Sequence, residues 1–455
     1  PSRRKPFALA AMAPLGLRLA RGLRSGVGGL GRWLRGGLAP PPATGGTGAV
    51  VARRCSGCSG GSGSSSSSSG GEIAGAQSAL EWTPRRIVTE WQILARKPPR
   101  KLRGPSAQES MQHLAGRTAR CPLSAFTPRQ LSALTWTWGR LRFKDTELLG
   151  AVCTHALKVL DTFDPQSLAT FAYALGALHI DDAETLGPLC SHVRVRLPEL
   201  SPREVSNIVY ALGRAAFSDE QLLTSVCTHA SRRLDGFNAQ DISNFVYGLG
   251  QLRHRDPDFM SAVCDRVPAR FGELLAQHLS NIVYTFGLLR HDHSHFLRAA
   301  CGHAVTRLNE FTAQGISNTI YALGLLDHRN KAFCRAACRH MSARLTEFTP
   351  QGLSNALYGL ALLNHRDERL LAAACHWATA HATDFNSQDV SNLLYSLARL
   401  SFQHDPCLRT LCARAPRTDL GSLTVQGIAS TAYALALLSP GPPPSLGGRG
   451  VASRS

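Results

Sequence analysis

Two kinds of polar pair recur along this chain at spacings that could do chemistry. In the first, a glutamine is followed four residues later by an asparagine: Gln240/Asn244, Gln277/Asn281, Gln314/Asn318, Gln351/Asn355 and Gln388/Asn392. One helical turn apart, the members of each pair share a helix face. Their carboxamides carry donors and acceptors suited to base edges or sugar hydroxyls. The same amides could instead bond between neighbouring helices and hold them together. The residue after each glutamine position varies, as in Glu204, Asp241 and His278. Since an invariant residue cannot read a varied sequence, such positions, with positions 12 and 15 of the same 37-residue repeat (counted from its opening residue, Phe237 in the repeat of Gln240), are better placed to discriminate between bases. The second pair is an arginine with a histidine four residues before it. Arg196, Arg233, Arg270, Arg307 and Arg344 recur every 37 residues, and His192, His229, His303 and His340 precede four of them. A file of arginines on one flank suits phosphate contacts. Arginine near a helix C-terminus also complements the macrodipole, which needs no ligand.

The cysteines obey the same period. Cys153, Cys190, Cys227, Cys264, Cys301, Cys338, Cys375 and Cys412 are each 37 residues apart, which reads as one small, soft core residue per repeat. Cys-x-His pairs such as Cys227/His229 cannot share an ion, because residues two apart on a helix point in nearly opposite directions. Cys55 and Cys58 form a CxxC without a second pair, a poor zinc signal. No metal site and no cofactor are expected. Catalysis has no better support: every recurrence of Ser, His and Asp follows the period, and no phosphate-cradling glycine loop, HExxH or nucleophile elbow occurs. The expectation is a chain that is not an enzyme and has no small-molecule substrate.

The elements that position these residues are equally periodic. Nine related phrases, from FTPRQLSALTW through FNAQDISNFVY to LTVQGIASTAY, begin at residues 126, 163, 200, 237, 274, 311, 348, 385 and 423. One supersecondary unit stacked on itself gives this pattern. In each phrase a Thr, Asp, Ser or Asn N-cap, often with proline next, opens a first helix, and Ser201 with Glu204 forms a capping box. A polar patch then precedes a second helix. On the first helix, Ile242, Phe245, Val246, Leu249 and Leu252 form an apolar arc, and Ser243 and Gly250 a strip of small residues that admits a neighbouring helix. Gln240, Asp241, Asn244, Gly248 and Gln251 share the arc left for a ligand. The predicted fold is all-α, a right-handed α-solenoid of about nine 37-residue helix-turn-helix repeats over residues 126–438.

Around this array the composition changes. Residues 1–40 carry Arg18, Arg21, Arg24, Arg32 and Arg35 among Leu, Ala and Gly without an acidic residue, and read as an organellar transit peptide from Met12 onward. Residues 41–71 are a Gly/Ser linker, residues 72–125 a basic extension with candidate capping helices, and residues 439–455 a Pro/Gly-rich tail. The formal net charge is +19, but residues 1–71 hold ten Lys and Arg and no Asp or Glu. Residues 123–455 hold 31 basic against 27 acidic side chains, so net charge alone is weak support for nucleic acid binding by the array. No run of eighteen apolar residues occurs, and no membrane span is expected.

The wording F-(T/N/D)-(P/A/S)-Q-x-(I/L/V)-S-N-x-(I/L/V)-Y-(A/G)-L-(G/A) resembles the octotricopeptide repeat of organellar RNA-binding proteins. It is also similar to the helical repeats of RAP-domain and FAST-kinase-like proteins and of the trypanosome RNA-editing substrate-binding complex. The resemblance spans residues 126–438 and departs in its aromatic: Tyr173, Tyr210, Tyr247, Tyr284, Tyr321, Tyr358, Tyr395 and Tyr433 stand where those repeats more often have Trp, and Trp136 alone matches. No recognisable RAP domain follows the array. The resemblance implies a protein of the mitochondrion, or alternatively the chloroplast, that binds single-stranded RNA and acts in transcript stability, processing, splicing, editing or translation, with other organellar RNA-processing proteins as partners. By analogy with other helical-repeat readers, each repeat would hold about one base. The rival reading is a protein-interaction scaffold, the common use of near-neutral α-solenoids.

Overall fold

The computed structural model describes residues 82–98, 102 and 104–414. The transit peptide, the linker, the ninth phrase at 423 and the tail lie outside the described residues. Two helices, α1 (Pro84–Ala95) and α2 (Pro105–Arg120), precede the repeats. The first helices of successive repeats are α3 (Pro128–Leu141), α5 (Pro165–Ala177), α7 (Pro202–Ala215), α9 (Ala239–Leu252), α11 (Ala276–Leu288), α13 (Ala313–Leu325), α15 (Pro350–Leu362) and α17 (Ser387–Arg399). Their second helices are α4 (Thr146–Lys158), α6 (Ala183–Val195), α8 (Glu220–Arg233), α10 (Pro257–Arg266), α12 (Ser294–Thr306), α14 (Lys331–Ala343), α16 (Glu368–Ala380) and α18 (Asp405–Arg414). No strand occurs among the described residues, and the chain is an all-α solenoid.

Each repeat is punctuated in the same way. Thr127, Asp164, Ser201, Asn238, Thr312, Thr349 and Asn386 accept a hydrogen bond from the backbone N–H three residues on and so start the first helices. Every first helix ends at a residue with positive φ, from Arg142 (55°) through Arg253 (56°) to Ser401 (52°). The following N–H then reaches back to a carbonyl five residues earlier, as in His254 to Leu249 (3.0 Å) and His291 to Phe286 (2.9 Å). This closure satisfies orphan carbonyls and turns the next side chain back towards the core. None of these left-handed positions is glycine. The second helices start on Asp145, Asp182, Asp219, Asp256 and Asp367 in the same capping geometry, and most end in a short 3-10 turn such as Leu308–Glu310.

First helices pack chiefly on first helices. The apolar arc is buried as expected, with Ile242, Phe245, Val246 and Leu249 at 1% exposure or less. Burying each such side chain is worth about 1.5–3 kcal/mol. The small-residue strip sits where backbones touch: a Cβ built on Gly176 would lie 2.5 Å from the Ala211 carbonyl oxygen, and one on Gly324 2.8 Å from the Cα of Gly359. Glycine at position 14 thus faces a small residue at position 12 of the next repeat. Position 12, expected on the ligand arc, is buried instead at Gly248, Thr285 and Ser396, because neighbouring helices cross there at backbone distance. On α1, Trp91 packs edge-on against Trp138 with ring centroids 5.9 Å apart.

Candidate nucleic-acid interface

Capping and crossing decide what each first helix can show to a ligand. Gln240, one residue inside the start of α9, is exposed, and Gln277, Gln314, Gln351 and Gln388 are exposed in part. The asparagines lie deeper: Asn281, Asn318 and Asn392 are buried, while Asn244 and Asn355 are half-buried. Within a helix, Gln240 Nε2 donates to Asn244 Oδ1 and Gln388 Nε2 to Asn392 Oδ1, both at 2.8 Å. Between repeats, Asn281 Nδ2 donates to Ser243 Oγ and Asn392 Nδ2 to Asn355 Oδ1, both at 3.2 Å. The amides therefore form bonds that join neighbouring first helices, and the glutamines form the outer edge of the ladder.

The varied position next to each glutamine is the third helical residue, where a side chain can reach back to the cap. Glu204 Oε2 accepts from Ser201 N (2.7 Å), Asp241 Oδ2 from Asn238 N (3.2 Å), and His278 Nδ1 from Leu275 N (3.2 Å). Asp241 and His278 are buried, and His278 Nε2 lies 3.0 Å from Gln240 Oε1 of the preceding repeat. Asp389 occupies the same place in α17, with Oδ1 accepting from Ser354 Oγ at 3.3 Å. Burial pushes its carboxyl up from 3.8 to about 6, against the lowering effect of its hydrogen bonds to Asn386 and Ser354. A raised carboxyl favours the protonated fold. Its contribution is fully present below the unfolded value and is lost as pH rises through about 6. Asp389→Asn is therefore expected to remove on the order of 2–3 kcal/mol of pH dependence between about pH 4 and pH 7. Denaturant titrations at several pH values test this. Parallel wild-type and variant profiles would contradict it.

The tyrosines continue the same stripe. Tyr173, Tyr210 and Tyr247 form one run with ring centroids 6.0 and 6.1 Å apart. Tyr284, Tyr321, Tyr358 and Tyr395 form another at 6.5, 6.1 and 5.2 Å. Burial raises the Tyr247 phenol to about 12 and also raises Tyr321, where the nearby Arg290 and Arg253 offset part of the effect. Beyond the tyrosines, at the left-handed helix ends, stand the exposed Arg142, Arg253 and Arg290, with half-buried Arg214 hydrogen-bonded to Tyr210. These arginines were missed in the sequence. The signal was present as basic residues just past the last leucine of the first helix, as in Arg253-His254-Arg255.

The arginine file on the second helices is differently occupied. Arg196, Arg270, Arg307 and Arg344 pair with Glu199, Glu273, Glu310 and Glu347 three residues on, at 2.7 Å for Arg196 Nη2 and 2.8 Å for Arg270 Nη2 and Arg307 Nε. Arg196 Nη1 and Arg307 Nη1 also donate to the carbonyls of Phe163 (2.6 Å) and Leu274 (2.9 Å), which open the first helix of the same repeat. His303 and His340 lie 2.7 and 2.5 Å from the arginines that follow them, and burial with the arginine charge holds both imidazoles below the usual range. Glutamate at position 37 thus turns the file into clamps between the two ends of a repeat. Arg233 differs because Gly236 stands in that place. It is exposed and, with Arg194, Arg232 and Thr228, lines a groove of about 720 Å³.

Burial holds the thiols of Cys153, Cys190 and Cys301 up at about 12, as protonated core residues. No helix among the described residues is long and apolar enough to cross a membrane. A family model described as RNA-editing substrate-binding complex 6 protein matches residues 111–271 and 237–438, well over half of the chain. Of the resemblances read from the repeat wording, this match supports the editing-complex one and does not extend to the octotricopeptide, RAP or FAST-kinase-like repeats. No curated protein matches the chain.

Proposed function

Because this chain belongs to the RNA-editing substrate-binding complex 6 protein family, we propose that it is a non-catalytic solenoid that binds single-stranded RNA during organellar RNA processing, editing included. The observation that supports this reading is the stripe on the first helices. Outer glutamines and rows of neighbouring tyrosines recur there along the described repeats, with arginines at the helix ends of the first, fourth and fifth. Aromatic faces and amides suit unpaired bases, and arginines suit the backbone between them. The arginine-rich, acid-free stretch from Met12 to Pro40 supports a mitochondrial address, with the chloroplast as alternative. Other RNA-processing proteins complete the proposed partners, with neither a membrane nor a small-molecule substrate.

Fluorescence anisotropy of the full chain with labelled single-stranded and duplex RNA, across a salt series, tests the reading. Preference for the single strand and a log–log salt slope of about −0.7 for each phosphate contacted are expected. Absence of binding at low salt would overturn it. The second reading, a protein scaffold, is favoured by the clamped arginines and buried asparagines, which leave those two files little to offer a nucleic acid.

A further inference from the structure

The junction between the third and fourth repeats holds a group that core packing does not account for. Ligand atoms of Cys227, His254 and Asp256 all lie within 4.8 Å of one another. Cys227 comes from α8 of one repeat, while His254 and Asp256 come from the turn after α9 of the next. His254 is placed by the left-handed closure at Arg253, which directs it inward to where Phe217 and Phe402 stand in other repeats. It is nine-tenths buried, and its Nε2 is fully buried with no hydrogen-bond partner. An orphaned imidazole nitrogen of this kind is costly unless a ligand completes it. Its Nδ1 lies 3.4 Å from Glu220 Oε2, the outer-sphere carboxylate contact that orients metal-binding imidazoles. Asp256 uses Oδ1 to cap α10 through Phe259 N (2.8 Å) and keeps a second oxygen. Asp256 and Glu220 both bring carboxylate oxygens to this group.

We propose that Cys227, His254 and Asp256 bind one zinc-class divalent cation, with Glu220 orienting the histidine and a fourth position open to water. The donor set of one sulfur, one imidazole and one carboxylate suits zinc. Binding replaces the Cys227 S–H bond with a sulfur–metal bond and releases the proton to solvent. Cys338, His365 and Asp367 recur at the same repeat positions with Lys331 in the place of Glu220, but among the described residues only Cys227, His254 and Asp256 bring their ligand atoms within 4.8 Å of one another; Cys264 and His291 meet His293 where Asp256 would be. Within one repeat the cysteine and histidine cannot converge, so only stacking creates this site.

The test is titration of the reduced full chain with Co²⁺ as the spectroscopic probe, followed by Zn²⁺ displacement. One equivalent of cobalt is expected to give a thiolate-to-metal charge-transfer band. That band should survive in Cys338→Ser and in the Cys55→Ser/Cys58→Ser double variant, and disappear in Cys227→Ser and His254→Phe. His254→Phe copies the residue at the matching place of another repeat, so its fold is expected to persist, as circular dichroism checks. Glu220→Gln should weaken zinc binding about 10-fold or more. A wild-type chain without the band, or a band that persists in folded His254→Phe, would overturn the proposal.

Discussion

Gly248→Val is expected to break the solenoid at the junction of the third and fourth repeats. A Cβ at this position would lie 2.6 Å from the Val209 carbonyl oxygen and 2.9 Å from the Tyr210 nitrogen. Both obstacles are backbone, which cannot rotate away, so the helices must separate. That overpacking costs about 3 kcal/mol or more, and separation also exposes apolar surface on both sides. Stability in stacked repeats is roughly a sum of repeat and interface contributions, so losing one interface should divide a single melting transition into two. Gly302→Ala is the matched control: it lies within α12, no other part of the fold stands within 4 Å of its Cβ, and it is expected to stabilise by about 0.5–1 kcal/mol. Calorimetry and limited proteolysis distinguish the two. A Gly248→Val chain that melts like wild type would remove the close-approach account of the small-residue strip.

The two arginine files should separate affinity from stability. Replacing Arg142 and Arg253 with glutamine is expected to weaken single-stranded RNA binding about 10-fold at moderate salt and to flatten the salt dependence, because phosphate partners are removed. The melting temperature should change little, since both are exposed, whereas Arg290 donates to the Leu325 carbonyl of the next repeat. Replacing Arg270, Arg307 and Arg344 should do the reverse. Their guanidiniums join Glu273, Glu310 and Glu347, and Arg307 also holds the opening carbonyl of its own repeat. Such variants should melt earlier, while their folded fraction keeps its affinity. Equal affinity for wild type and the first variant at low salt would move the protein-scaffold reading ahead.

The periodic features were legible in the sequence because each is local. An N-cap such as Thr349 followed by Pro350, an apolar arc such as Ile242 to Leu249, and a cysteine every 37 residues each act within one helix. Period alone therefore determined the all-α solenoid, its helix boundaries and its core. Even the Arg–Glu clamps were in reach, since Arg307 and Glu310 are three residues apart. What faces what across a junction was decided only by the tertiary structure. The distance between adjacent first helices is set by glycines meeting small residues, and no single repeat contains that distance. It carried position 12 from the ligand arc into the crossing, buried Asn281 and Asn392, and lined the tyrosines up in runs. The same stacking brought Cys227 to His254 of the following repeat, where the spacing within one helix had ruled out a shared ion.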